Sequence, residues 1–313
     1  MVNWGIIGLG KMGFTFAQAI EETNNSRLVA TASKSGKRIK NIKNFSYEDL
    51  IRSDEIDAIY ISTLNNTHVD LIKQIASKGK KILCEKPVSL SLNSLIETEN
   101  LLKEKKIQFY EAIAYYSHPQ TLELLKLIKE AKIGEIKSIE SNFGFKCKFK
   151  EKSRLFNKIL GGGSVFDLGC YPISFFMLFA EDFKKISTIS KKVSFAKNGV
   201  DDEAELVLDY NNKFIGKLKV SLKSNYTNNC VIKCTNGYIK IKEPWLPNKK
   251  ANIEVLTNNH YYLKTINSKL SVYANQIHNV SESFLNPEKK NNLFNINKSI
   301  INMKLITEWL NNY

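Results

Sequence analysis

The chain has 313 residues, 43% of them hydrophobic and 25% charged, with a formal net charge of +15. That length points to two domains, and the composition is that of a globular protein. The longest apolar run, Ile173–Ala180, is far shorter than the roughly 20 residues of a membrane span, and the four arginines, at 27, 38, 52 and 154, are too scattered for a nucleic-acid face.

The remaining basic residues are all lysine, spread along the chain among Asn and Ile, which reads as a solvated face with a modest preference for anionic partners. A cytoplasmic protein with no nucleic-acid or membrane partner is expected. Cysteines 84, 147, 170, 230 and 234 are odd in number and lack paired C-x-x-C spacing, so reduced thiols and no metal are expected. Cys230 and Cys234 alternate with Val231 and Lys233, as on one face of a strand.

In chain order, Asn3–Gly8 reads as a strand, Lys11–Glu22 as an amphipathic helix and Leu28–Ser33 as a second strand. A short helix, Tyr47–Arg52, precedes strand Ile56–Ser62, helix Val69–Lys78, strand Lys81–Cys84, helix Leu92–Lys105 and strand Ile107–Tyr110. Near-continuous apolar strands alternating with helices predict a parallel sheet covered on both faces. The stretch between Ser33 and Tyr47 leaves little room for a helix.

The character changes near residue 120. Leu122–Ala131 reads as a helix ending near Gly134, and Glu135–Phe145 as a long alternating strand. Glu205–Tyr210 and Lys213–Lys223 flank Asn211-Asn212, which is hairpin chemistry, and Asn229–Cys234 with Tyr238–Lys242 forms a second hairpin around Thr235-Asn236-Gly237. Helices Val272–Leu285 and Ile296–Asn311 follow. The fold class is therefore an α/β Rossmann domain, residues 1–118, followed by an α+β domain, residues 119–313, with an open, mostly antiparallel sheet. The C-terminal helix is free to pack back on the first domain. An open sheet face needing cover predicts a homodimer or homotetramer.

Gly8-Leu9-Gly10-Lys11-Met12-Gly13 fits G-x-G-x-x-G, directly after a strand and at the opening of a helix. Gly8 makes the tight turn, Gly10 lets the backbone meet a pyrophosphate, and Gly13 lets helix and strand pack. The helix N-terminus favours the phosphate charge. An NAD site places an acid about 20 residues further on for the ribose 2′-hydroxyl. Here the second strand ends Ala32-Ser33-Lys34-Ser35, followed by Lys37 and Arg38. Ser33, Lys34 and Arg38 suit a 2′-phosphate, so NADP is favoured over NAD; the alternative is that the cations face water.

Lys86, in Cys84-Glu85-Lys86-Pro87-Val88-Ser89-Leu90, follows a parallel strand on the ligand side of an open sheet. This string resembles the Glu-Lys-Pro motif of the Gfo/Idh/MocA oxidoreductases. Ile61-Ser62-Thr63-Leu64-Asn65-Asn66-Thr67-His68 resembles that family's nicotinamide-side loop. Glu111-Ala112 through Tyr115 to His118-Pro119-Gln120 resembles the crossover of its dihydrodiol and aldose dehydrogenase branch, with Tyr116 where that branch commonly has Arg. Gly161 through Asp167 to Tyr171-Pro172, and Thr235–Pro244, resemble the same branch.

The resemblance implies a catalytic group of Lys86, Asp167 and Tyr171, and counts a cis Lys86–Pro87 peptide among the features to expect. Tyr171 would take the substrate hydroxyl proton as hydride leaves for the nicotinamide, an ammonium beside it favouring the phenolate. Asp167 would orient Lys86 or bind a sugar hydroxyl; it could instead cap a helix starting near Leu168. Cofactor-binding candidates are Gly8 to Gly13, Ser33, Lys34, Arg38, Ser62, Thr63, Asn65, His68, Glu85 and Lys86. Tyr115, Phe143, Phe145 and Arg154 are candidates to line a polyol pocket. His118 could equally be a local cap, and His260 and His278 are read as ordinary residues.

The expected activity is an NADP(H)-dependent oxidoreductase moving hydride between nicotinamide and a carbinol or carbonyl carbon of a sugar, aldose or related diol. Two alternatives stay open: a glycoside-processing enzyme that recycles tightly held NAD, and a cofactor-binding sensor without turnover.

Overall fold

The computed structural model describes residues 1–130, 133–258 and 260–312, which divide into two compact units. The first is Met1–Ser117 with Lys269–Ile300, and the second is His118–Ser268 with Ile301–Tyr313.

In the first unit, β1 (Val2–Ile7), β2 (Ser26–Ala32), β3 (Lys43–Phe45), β4 (Ala58–Ile61), β5 (Lys81–Cys84) and β6 (Phe109–Glu111) form a sheet in the order β3-β2-β1-β4-β5-β6. All its pairings are parallel. Its helices are α1 (Lys11–Ala19), α2 (Tyr47–Arg52), α3 (His68–Ala76) and α4 (Leu92–Glu104). Beyond β2 the chain runs through turns, with no helix before β3. Trp4 and Ile6 face a core shared with Phe16 of α1, while a Cβ at Gly5 would meet Leu50 of α2 on the opposite face. Burial on both faces is why these strands read as continuous apolar runs.

The first unit takes one element from late in the chain. On α7 (Val272–Leu285), Ala274, Ile277, Val280 and Phe284 enter the same core as Trp4 and Tyr110. The Trp4 and Phe284 rings lie 5.7 Å apart, and Trp4 Nε1 donates to Ser281 Oγ at 3.0 Å. The sequence reading carried the second domain to residue 313 and left only its C-terminal helix free to pack back on the first. The structure instead returns residues 269–300 to the first unit, because an apolar stripe reports that a helix is buried without naming its partner.

The second unit is built on an eight-stranded sheet, ordered β14-β13-β12-β11-β7-β10-β9-β8. These strands are β7 (Ile136–Gly144), β8 (Ile186–Phe195), β9 (Asp201–Tyr210), β10 (Phe214–Ser221), β11 (Cys230–Cys234), β12 (Gly237–Ile241), β13 (Lys250–Thr257) and β14 (Tyr261–Asn267). The β7–β10 pair is parallel and the other pairs are antiparallel. The β9–β10 hairpin turns on Asn211 and Asn212, both left-handed at φ 51° and 57°, as its sequence predicted. Strands β8, β13 and β14 were not anticipated.

One sheet face is covered by α5 (Pro119–Lys129), against β13 and β14, and by α6 (Cys170–Met177), against β7 and β10. His118 caps α5, its Nδ1 accepting from the Gln120 N–H at 3.1 Å; Ala131, the expected last residue of that helix, lies outside the described residues. The opposite sheet face carries ion pairs, among them Lys219–Glu205 at 2.7 Å, Lys233–Glu140 at 2.8 Å and Lys242–Glu254 at 2.8 Å, interspersed with half-buried Val207, Ile215 and Val231. The last helix, α8 (Ile296–Leu310), buries Trp309 beside Gly169. Among the described residues, the helical run Lys158–Met177 passes the length and composition test for a membrane span, but 78% of its apolar window is buried inside the protein.

Candidate active site

The strand order of the first unit sets one edge of its sheet as a continuous row. The carboxyl ends of β2, β1, β4 and β5 present, in turn, Ser33-Lys34, the Gly8–Gly13 turn, Ser62-Thr63 and Glu85-Lys86. An open parallel sheet binds ligands at this edge.

Gly8 has φ +100°, and a Cβ there would lie 2.8 Å from the Ser62 carbonyl oxygen. A Cβ at Gly13 would lie 2.2 Å from Gly8 O, so only glycine lets α1 seat against the end of β1. At Gly10 the Cβ position is open, with Ser62 O the nearest atom at 4.0 Å. Gly10 is also the N-cap of α1 and brings no side-chain cap. An open cradle under uncapped helix N–H groups fits a dinucleotide pyrophosphate. Leu9 is buried beneath the turn, and Lys11 is exposed above it.

Beside the glycine turn, Ser33 Oγ lies 3.0 Å from Ser35 Oγ, and the Lys34 ammonium sits 5.3 Å from the centre of the Tyr47 ring. Lys34 is therefore held over an aromatic face. Arg38 is exposed. Tyr47 was not anticipated as a partner.

The β4 loop and the Lys86 turn are tied together by His68. Its Nδ1 lies 3.0 Å from Pro87 O and its Nε2 3.3 Å from Thr63 O. Burial pushes the imidazole down to about 4, so the ring is neutral and donates to one of these carbonyls at a time. Ser62 Oγ donates to Gly8 O at 2.7 Å, Thr63 Oγ1 is 2.7 Å from Thr67 Oγ1, and Asn65 is buried. His68 thus acts through the backbone of two loops. The Lys86–Pro87 peptide is cis.

Acidic groups surround that turn. Tyr60 Oη donates to Glu85 Oε1 in a short hydrogen bond, and the Lys86 N–H lies 3.3 Å from Glu85 Oε2. Glu111, at the end of β6, accepts the Val88 N–H at 3.1 Å. Burial pushes its carboxyl up to about 7, while hydrogen bonds from Ser299 and Val88 and the Lys86 charge pull the other way. Tyr60 and Glu111 were missed as members of this cluster. For Glu111 a signal existed, since it is a carboxylate ending a buried strand on the ligand edge.

In the second unit, Asp167 lies within a π-helical turn, Val165–Gly169, that leads into α6 and Tyr171. The buried Asp167 carboxylate accepts from Arg154 Nη1 at 3.0 Å. Asp201, also unanticipated, anchors the turn: its Oδ2 accepts from Ser164 Oγ at 2.8 Å and from the Val165 N–H at 2.7 Å. Gly163, at φ +117°, leaves room for it, since a Cβ there would lie 2.0 Å from Asp201 Oδ1. The Phe143 ring meets Tyr171 edge-on at 5.2 Å, and Trp245 joins them at 6.0 Å from Tyr171. Phe145 lies just past β7, its N–H bonded to Ser221 O. Tyr115 is fully buried against Tyr116 in the first unit, and the Lys298 ammonium lies 5.2 Å from the centre of the Tyr116 ring.

Comparison with known proteins agrees with this architecture. A family model described as an oxidoreductase family with an NAD-binding Rossmann fold matches residues 2–113, and the GFO/IDH/MocA C-terminal domain matches residues 121–240. A trans-1,2-dihydrobenzene-1,2-diol dehydrogenase of Xenopus tropicalis is 28% identical over 258 residues, covering 78% of this chain and 77% of its own. D-xylose 1-dehydrogenase (NADP(+)) 2 of Haloferax volcanii is 26% identical, over 76% of this chain and 74% of its own. A 3-ketoreductase from Actinomadura kijaniata, solved with NADP and TDP-benzene, superposes with a TM-score of 0.87 at 20% identity, over 97% of this chain and 95% of that one. An aldose-aldose oxidoreductase from Caulobacter crescentus with glycerol also gives 0.87, at 16% identity, over 98% and 96%. The chain belongs to the Gfo/Idh/MocA oxidoreductase family, with the NAD-binding Rossmann fold in its first unit and that family's C-terminal domain in its second.

Proposed function

We propose that the protein is an NADP(H)-dependent oxidoreductase acting on a hydroxyl or carbonyl carbon of a sugar, aldose or related diol. The observation that carries this reading is the single sheet edge on which the open Gly10 cradle and the Lys86 turn stand two strands apart. A nicotinamide dinucleotide bound there supplies the hydride acceptor or donor. Gly8 to Gly13 hold its pyrophosphate, and Ser33, Lys34 and Arg38 its 2′-phosphate. Ser62, Thr63, Asn65, Glu85 and Lys86 serve the nicotinamide end, with His68 positioning their loops. NADP is favoured because no acid stands between Ser33 and Arg38, and the xylose dehydrogenase relative is named for NADP(+).

Tyr171 is the acid/base in this reading, accepting the substrate hydroxyl proton at its phenolic oxygen during oxidation and returning it in reduction. Lys86 supplies the positive charge that favours the phenolate. Asp167, paired with Arg154, accepts a hydrogen bond from a second sugar hydroxyl. Phe143 provides an aromatic wall beside Tyr171. The homodimer or homotetramer would be built on the open sheet face of the second unit, where half-buried Val207, Ile215 and Val231 stand among the ion pairs.

Lys86→Met should abolish turnover while leaving NADPH affinity within a few-fold. Near wild-type turnover in that variant would sink the assignment. Fluorescence titration should show NADPH binding more tightly than NADH, with Lys34→Glu reversing the order.

A further inference from the structure

Strands β2 and β3 run parallel with Ala32 opposite Phe45, so Lys34 and Tyr47 each stand two residues beyond that pair. With no helix between the two strands, β3 returns directly beside the end of β2. Tyr47 is the first residue of α2, whose start is fixed by Ser46, its Oγ accepting the Asp49 N–H at 3.0 Å. On the other side, the Lys34 turn is closed by the Gly36 N–H, which donates to Ser33 O at 3.2 Å.

Tyr47 meets Lys34 through both its ring and its phenol. The Lys34 ammonium lies 5.3 Å from the centre of the ring, within the reach of a cation–π contact. Burial pushes the half-buried phenol up, and a hydrogen bond from the Lys34 backbone pulls the other way; the net rise keeps the phenol neutral. The carboxylates next along α2 are engaged elsewhere. Glu48 Oε1 lies 2.8 Å from Arg52 Nη2, and Asp49 Oδ2 accepts from Ser46 Oγ at 2.7 Å.

The kind of partner matters here. A carboxylate holding Lys34 would cancel the charge that a phosphate needs and would itself repel that phosphate. An aromatic face attracts the ammonium through the ring quadrupole, yet leaves its positive charge and its outward N–H donors to an incoming anion. It also limits the rotamers of a long side chain beforehand, so less freedom is lost on binding.

We propose that Tyr47 is a positioning residue for cofactor choice: its ring holds the Lys34 ammonium ready for the 2′-phosphate of NADP without neutralising it. The inference rests on the assignment of Lys34 to that phosphate under the proposed function.

Fluorescence titrations of the full chain with NADPH and NADH test it, with NADH serving in each variant as the control for an intact fold. The parent should bind NADPH more tightly than NADH, and Lys34→Gln should lose most of that preference. Tyr47→Phe keeps the ring and should hold the preference within about twofold. Tyr47→Leu should weaken NADPH about three- to fivefold while leaving NADH unchanged, and Tyr47→Glu should weaken NADPH further. The difference between parent and Tyr47→Leu should shrink as salt is raised. A Tyr47→Leu variant with the parent's preference would overturn the role of Tyr47 and leave that of Lys34 standing. Equal weakening of NADPH and NADH would overturn it in favour of general packing. A preference unchanged in Lys34→Gln would remove the Lys34 assignment and this inference with it.

Discussion

Glu111 is 4% exposed, and burial raises its carboxyl from 4.5 in the unfolded chain to about 7 in the fold. Between those values the folded state holds a proton that the unfolded state has released, so this group's contribution to stability falls as pH rises, by about 1.4 kcal/mol per pH unit. His68 works in the opposite sense. Its ring drops from 6.5 to about 4, so its contribution is present above pH 6.5 and is lost as pH falls toward 4. His118, lowered to about 4 by burial, adds to the side of His68. Over the shared window Glu111 and His68 nearly cancel, and His118 leaves a net rise of stability with pH. Glu111→Gln keeps an acceptor for the Val88 N–H but removes the titration. Urea unfolding at pH 5 to 8 should then show stability rising with pH more steeply than in the parent, with a gain on the order of 3 kcal/mol at pH 8. An unchanged pH slope would place the Glu111 proton elsewhere.

At the scale of elements, boundaries were legible where a local signal marks them. Helices α2 and α7 begin after Ser46 and Ser271, whose hydroxyls accept from the N–H groups of Asp49 and Ala274, and both run over the expected residues. Strand β5 is bounded as its apolar run implied. The missed strands lack that signal: β8 has a register shift between Thr188 and Ser190, and β14 is an edge strand with Tyr261 and Leu263 exposed. Helix α6 is buried nearly all round, so it shows no polar stripe to set its period. The glycine turn and Lys86 could be read from sequence because their neighbours in the chain are also their neighbours in space. Glu111, Asp201 and Trp245 reach their partners across 23 to 103 positions, a relation that only the fold supplies. Two substitutions test the elements themselves. Phe284→Ala on α7 should lower the unfolding free energy by about 3–5 kcal/mol, read by urea denaturation. Gly13→Ala, which presses a methyl into Gly8 O, should weaken NADPH binding at least tenfold by fluorescence titration while leaving the second unit's sheet intact.

For the molecule as a whole, the division of the chain matters more than its length. Residues 1–117 lack α7, which supplies Ala274, Ile277, Val280 and Phe284 to their core. A fragment ending at Ser117 should remain unfolded by circular dichroism, and joining residues 269–300 to it through a flexible linker should restore a cooperative transition and cofactor binding. The late arrival of α7 also orders events during synthesis. The glycine turn leaves the ribosome before α7, and its sheet stays unsealed while the roughly 150 residues between Ser117 and Lys269 are made. A nascent chain halted before Lys269 exposes the greasy side of Trp4 and Phe16 for all of that interval. This makes the protein a natural client for chaperones that hold apolar surface, and every transcript truncated in that window should yield a product bound for proteolysis rather than a partly active enzyme.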